Sequence, residues 1–262
     1  MTPDDASTAV PNARRTADDP PGRYVFGIVA RATEAPAELY GLDDQPLTTI
    51  VEGDIAAVVQ PFDVSRRLGT RADLLRHSAV VDAVAGQGPV VPVRFGSVME
   101  SDTDVVATLL APQHDHFRDL LEDLAGKQQF NVRATYVEQM VLAEVVDDNA
   151  EIADLRARTR DLPEDAAYAQ RVRLGELVSQ ALDAKRAGEG EQLLARLVRH
   201  AVAHRVREGG GLEHLLDVAL LVAEKDRARF EAAAEELAAE LTPRVRVRLL
   251  GPLAPYDFVP EG

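Results

Sequence analysis

Two histidines, His200 and His204, stand four residues apart in a stretch with helical periodicity. On a helix that spacing turns both imidazoles to one side, where they can share a metal ion. The residues between them are Ala201, Val202 and Ala203, so the glutamate of a zinc-protease helix is missing. His214 follows only beyond Gly209-Gly210-Gly211. A solvated helix face accounts for the pair without a metal. His114 and His116 are two apart and diverge on a helix. Arg244, Arg246 and Arg248 alternate with Val245, Val247 and Leu249, the pattern of a strand with one basic and one apolar face. In an acidic chain such a stripe either pairs within the molecule or docks an acidic partner. Arg94 lies in the run Pro89–Val98, which is dense in β-branched residues yet holds Pro92 and Gly96. Proline has no N–H for a ladder, so Pro92 implies an edge position or a bulge. The guanidinium of Arg94, set among apolar neighbours, needs water or an acceptor. It locks two elements together or meets a partner.

Other chemistry lacks its residues. The chain has no cysteine, which removes disulfides and thiolate nucleophiles or ligands. No phosphate-cradling glycine motif and no nucleophile elbow occurs. Carboxylates are spread over polar helix faces, where solvation explains them. The expectation is a protein with no catalytic, cofactor-binding or metal site.

The elements that must position these residues follow from periodicity. Residues 1–22, rich in Pro, Asp, Ala and Thr, read as a disordered tail. Tyr24–Ala30 is a buried strand, and Leu47–Val51 and Ile55–Gln60 form a hairpin about Gly53. Residues 70–86 are helical, with Leu74, His77, Val81 and Val84 on one face. The strand 89–98 follows, then a helix started by Ser101-Asp102-Thr103-Asp104 and kinked or restarted at Pro112. Phe130–Val137 alternates as a strand. Two helices on one face of a four- or five-stranded antiparallel sheet is the simplest arrangement, a modified ferredoxin-like domain over 23–137.

Residues 138–262 are helix-rich α+β. Helices run through 137–160 and from the break at Leu162-Pro163 to about Glu208, with Gly188 and Gly190 as weak points. Gly209–Gly211 reads as a joint, Leu215–Ala223 as a buried strand, and Phe230, Ala234, Leu237 and Leu241 as a helix face. The strand Arg244–Leu250 leads to a tail, 251–260, too rich in proline for a sheet interior and expected to lie extended across a surface.

Composition narrows the partners. Asp and Glu number 44 against 29 Lys and Arg, a net charge of -15 over 262 residues. Phosphate backbones and anionic membranes repel such a chain, so neither nucleic acid nor membrane is expected as a partner. No apolar run approaches the ~20 residues of a bilayer span. The acidic N-terminus is not a secretory signal, which points to the cytoplasm.

Four stretches in order resemble the gas vesicle protein F/L family, GvpF and GvpL. They are Tyr24-Val25-Phe26-Gly27-Ile28-Val29, Pro92-Val93-Arg94-Phe95-Gly96-Ser97-Val98, Gly126-Lys127 leading into Phe130–Tyr136, and Gly251-Pro252-Leu253-Ala254-Pro255-Tyr256-Asp257-Phe258. Leu220-Leu221-Val222 falls where the family has a late apolar strand, and the resemblance covers nearly everything from Arg23 onward. The chain departs from the pattern at Phe130, where tryptophan is usual, at Leu253-Ala254, at Pro112 and in its 22-residue leader. The resemblance implies two α+β domains, the second also ferredoxin-related and extended by helices. It implies a cytoplasmic, vesicle-associated accessory protein of gas vesicle assembly that binds the hydrophobic shell subunit GvpA, with other accessory proteins as further partners. Within that frame Arg94, Phe95, Tyr256 and Phe258 are the candidate partner-binding residues. The competing readings are a ferredoxin-like small-molecule-sensing or enzymatic domain and a shell component that self-associates through sheet edges.

Overall fold

A computed structural model describes residues 21–33, 38–209, 211 and 213–260. Of the expected disordered tail, residues 1–20 lie outside the described residues, while Gly22 already opens the first strand. The joint at 209–211 includes Gly210, which also lies outside them.

The first half carries a five-stranded antiparallel sheet. β1 (Gly22–Ala30) is central, flanked by β3 (Ile55–Phe62) with β2 (Thr48–Glu52) beyond it. On its other side β1 pairs with β4 (Val90–Pro92) and β5 (Val98–Met99). The run 89–98 is therefore two short strands with a turn between them, not one strand. Pro92 ends β4 at the sheet edge, opposite Gly27 next to a bulge in β1, where its missing N–H leaves no ladder bond unmade.

β1 and β3 are buried almost throughout and lack alternation, so both faces of this sheet are covered. Helix α1 (Arg71–Ala85) covers one face, packing Val80, Val81 and Val84 on Tyr24, Phe26 and Val58. The segment after β5 covers the other. It comprises the turn α2 (Asp102–Asp104), wide π turns at Val105–Leu110, a tight turn at Ala111–Gln113 holding Pro112, and α3 (His114–Leu124). Its Val105, Phe117, Leu121 and Leu124 meet Val25, Ile28 and Val59. The two helices thus sandwich the sheet rather than sharing one face. On α1, Leu74 stands 49% exposed, leaving His77, Val80, Val81 and Val84 as the buried stripe.

β6 (Lys127–Tyr136) was expected in the first sheet and instead belongs to a second, four-stranded one. After it come α4 (Glu138–Asp148), α5 (Ala150–Thr159) and the 34-residue α6 (Glu164–Leu197). β7 (Ala203–Val206), β8 (His214–Ala223), α7 (Arg227–Leu241) and β9 (Val245–Leu253) complete the half. The order is β7-β8-β6-β9, all antiparallel. Counting strands within each half, both sheets read second, third, first, fourth. The fold class is α+β with two antiparallel sheets.

α6 runs unbroken through both glycines. A Cβ on Gly190 would sit 3.1 Å from the Leu215 carbonyl oxygen, so glycine there lets α6 lie close on β8. The helix expected to reach Glu208 stops at Leu197, and β7 replaces its last part. β9 extends through Gly251-Pro252 to Leu253, which an outermost strand tolerates. One hydrophobic core lies between the second sheet and its helices, from Phe130, Val132 and Leu220 to Leu182, Leu197 and Phe230. A shared core joins the halves: Leu221 and Ala203 of the second sheet, with Phe258 and Val259 of the tail, pack with Phe117, Leu121 and Leu124.

Candidate functional site

The turn between β4 and β5 sets the first two candidate residues on opposite sides. Ser97 closes it, its N–H (3.3 Å) and Oγ (2.9 Å) both donating to the Arg94 carbonyl, and Gly96 takes a φ of +93° that few side chains allow. Arg94 is turned to solvent, while Phe95 faces inward, edge-on to His77 at 5.7 Å and to Tyr24 at 6.4 Å.

His77 is the hub of this region. Its ring is 1% exposed and stacks on Phe26. Tyr24 Oη accepts from the Gly96 N–H at 3.1 Å and lies 2.9 Å from His77 Nδ1. Tyr256 Oη lies 3.0 Å from Nε2. One of the two hydroxyls donates to the bare nitrogen of the neutral ring and the other accepts from its N–H. Burial pushes the His77 pKa down to about 4, a bond with the Val93 backbone opposing it. Burial likewise raises Tyr24 to about 12 and raises Tyr256. The imidazole is neutral and both its nitrogens are engaged, which describes a structural clamp better than a proton-transfer group.

The tail brings Tyr256 here. The Ala254 N–H donates to Asp82 of α1 at 2.8 Å, and Ala254 is wholly buried in the first core. Burial raises the Asp82 pKa. Asp257 binds the second half instead: its N–H donates to Gln129, and its carboxylate accepts from Gln129 and from Arg207. Phe258 is half-buried in the shared core, with the Arg205 guanidinium 5.9 Å above its ring.

Between the β4–β5 turn, α3 and the tail runs a groove of about 490 Å³. Its walls are mostly apolar, from Val91, Leu109, Phe117, Leu120 and Val259, with Arg94, His116 and Tyr256 at its polar points. The structure thus brings Arg94 and Tyr256 to one groove, whereas Phe95 and Phe258 are packed into cores on either side of it. Sequence reasoning missed His77, Asp82 and the Arg207–Asp257 pair. The available signal was one imidazole on an otherwise apolar helix face.

The other sequence candidates fare differently. His200 lies in a tight turn and His204 in β7, so the helical relation that would pair them does not exist. Among the described residues no three His, Asp or Glu side chains are grouped to hold a metal ion. Arg244 pairs within the molecule: it binds Glu144 of α4 and Glu189 of α6 at 2.5 Å and lies 5.5 Å from the Tyr136 ring. Lys185 joins the same carboxylates; burial pushes both glutamates up, but the Arg244 bonds above all, with Lys185 adding to them, hold both below the usual carboxylate range. Arg246 and Arg248 project from the open face of β9 and make no ion pair with the described residues.

This architecture is shared by two solved gas vesicle proteins. GvpF from Anabaena sp. PCC7120 superposes with a TM-score of 0.77 at 21% identity, over 92% of this chain and 97% of that one. GvpF from Microcystis aeruginosa gives 0.75 at 19%, over 92% and 99%. Among sequence relatives, gas vesicle protein F of Streptomyces sp. (strain CB03234) is 31% identical over 90% of this chain and 98% of its own length. Gas vesicle protein L of the same strain is 30% identical over 90% and 92%. Fold and relatives together define a gas vesicle accessory protein. The family described as gas vesicle synthesis protein GvpL/GvpF matches residues 22–260, and the chain belongs to that family.

Proposed function

We infer that this protein captures the hydrophobic shell subunit GvpA during gas vesicle assembly in the cytoplasm, using the groove between α3, the β4–β5 turn and the C-terminal tail. The observation that carries this reading is the groove itself: about 490 Å³, largely apolar, with Arg94 and Tyr256 on its walls. A free shell subunit exposes apolar surface and aggregates, and a groove of this chemistry covers part of that surface. The net charge of -15 keeps the complex dispersed. Among the described residues no helix is long and apolar enough to cross a membrane.

Co-expression with GvpA, followed by pull-down and sedimentation, tests the reading. GvpA becomes soluble and co-purifies in a fixed ratio. Leu120→Glu, which places a charge in the groove wall, lowers the co-purified amount about tenfold or more while the fold persists. Arg94→Ala and Tyr256→Ala weaken capture less. If GvpA pellets alone while this protein stays monomeric in solution, direct capture is wrong. If capture survives all three substitutions, the groove is the wrong place.

A further inference from the structure

The outer face of the second sheet carries a charge arrangement that folding alone does not call for. In the strand register Arg248 of β9 lies directly opposite Arg133 of β6, and Arg246 lies opposite Thr135. Two like charges in direct cross-strand opposition destabilise a sheet. Arg133, whose side chain is 63% exposed, is balanced by Asp217 of β8 at 2.5 Å. That carboxylate is also shared with Arg207 at 3.4 Å. The row Asp217–Arg133–Arg248 therefore holds two cations against one carboxylate, in a chain whose net charge is -15. Glu138 and Glu213 stand near Arg246 at one end of the strand, without forming an ion pair with it.

β9 also ends the sheet, paired only with β6 among the described residues. Its inward side chains Val247 and Leu249 are only partly buried against the second core, so the apolar layer is unfinished at this edge. Leu250, on the opposite face with Arg246 and Arg248, is 61% exposed. The strand thus offers an edge unpaired among the described residues, an incomplete apolar layer on one side and, on the other, guanidinium groups that make no ion pair with the described residues.

We propose that the β9 edge takes an added strand from a protein partner, an extended segment in which acidic residues alternate with apolar ones. Period-two alternation sends the carboxylates to the face of Arg246 and Arg248 and the apolar side chains to the face of Val247 and Leu249. Charge complementarity selects an acidic polypeptide, and the acidic chain as a whole repels nucleic acid. This surface is separate from the groove.

The test uses the full chain and three labelled peptides of about eight residues, read by fluorescence anisotropy. One peptide alternates Glu and Val, one has the same composition in two blocks, and one alternates Lys and Val. The alternating acidic peptide binds, and raising the salt from about 0.05 M to about 0.3 M weakens it. The double variant Arg246→Glu/Arg248→Glu weakens it about tenfold or more and gains affinity for the Lys–Val peptide. An Arg246→Gln/Arg248→Gln variant gives an intermediate loss, and it replaces the charge reversal if that protein melts early. If no peptide binds, the arginines guard the edge against pairing and the proposal is overturned. Equal binding of the block peptide overturns it too, because the attraction then needs no strand. Both double variants keep shell-subunit capture, so the two readings fail separately.

Discussion

The imidazole of His77 lies between two phenol hydroxyls, and its burial has a thermodynamic signature. The folded-state pKa is about 4, below the ordinary value of 6.5. Between those values the unfolded chain binds a proton and the folded chain does not. Stability is therefore complete above about pH 6.5 and falls as pH drops towards 4, by at most about 1.4 kcal/mol per pH unit from this group. His77→Gln keeps a donor and an acceptor but does not titrate. Denaturant unfolding at pH 7 shows the wild type more stable than this variant, and the gap narrows as pH falls to about 4.5. Asp82 titrates in both proteins and drops out of the difference. A gap that stays constant with pH removes His77 as the linked group. The sequence shows this histidine only as one position of an apolar helix face. Its partners are Tyr24, 53 residues away, and Tyr256, 179 residues away, a distance that periodicity cannot span.

Elements were legible where local rules agree and misread where tertiary pairing decides. Thr70 caps α1 by accepting from the Asp73 N–H, and Asp73 accepts from the Thr70 N–H in return. Arg66 also binds Asp73, holding its carboxyl down to about 2. Thr70→Ala removes one half of this box and costs about 1 kcal/mol, which lowers the melting temperature by about 2–4 °C. A calorimetric melt checks it, and an unchanged value means that Arg66 and Asp73 hold the helix start without the threonine. The stop of α6 was not legible, because Leu194, Leu197, Val198 and Ala201 continue the helical spacing. The polar β7 becomes a strand only by pairing with β8. The sandwich of α1 and α3 was readable in hindsight from β1 and β3, whose unbroken apolar runs require cover on both faces.

At the scale of the whole molecule the C-terminal tail does what neither sheet can do alone. The sequence marks residues 251–260 as extended over a surface, and proline content alone does not say which surface. The structure runs them across the junction: Ala254 and Tyr256 bind α1, Asp257 binds β6 and Arg207, and Phe258 enters the core shared by both halves. Each half has its own sheet and its own core, so the contact between them rests on this strap and on a few residues such as Leu221 and Phe117. The tail is also one wall of the groove, which couples the junction to the proposed capture site. Asp257→Ala removes one acceptor from Arg207, which keeps Asn131 and Asp217, and one from Gln129, which keeps Asn131, and it loosens the strap from the second half only. Each charge-assisted bond lost costs about 1.5–3 kcal/mol, a cost that falls on the junction rather than on either core. Hydrogen exchange then rises first in residues 254–259 and in the facing turns of α3, while β1, β3 and β8 keep their protection. Uniform loss of protection across both sheets would show instead that the halves fold as one cooperative unit, with the tail merely resting on it.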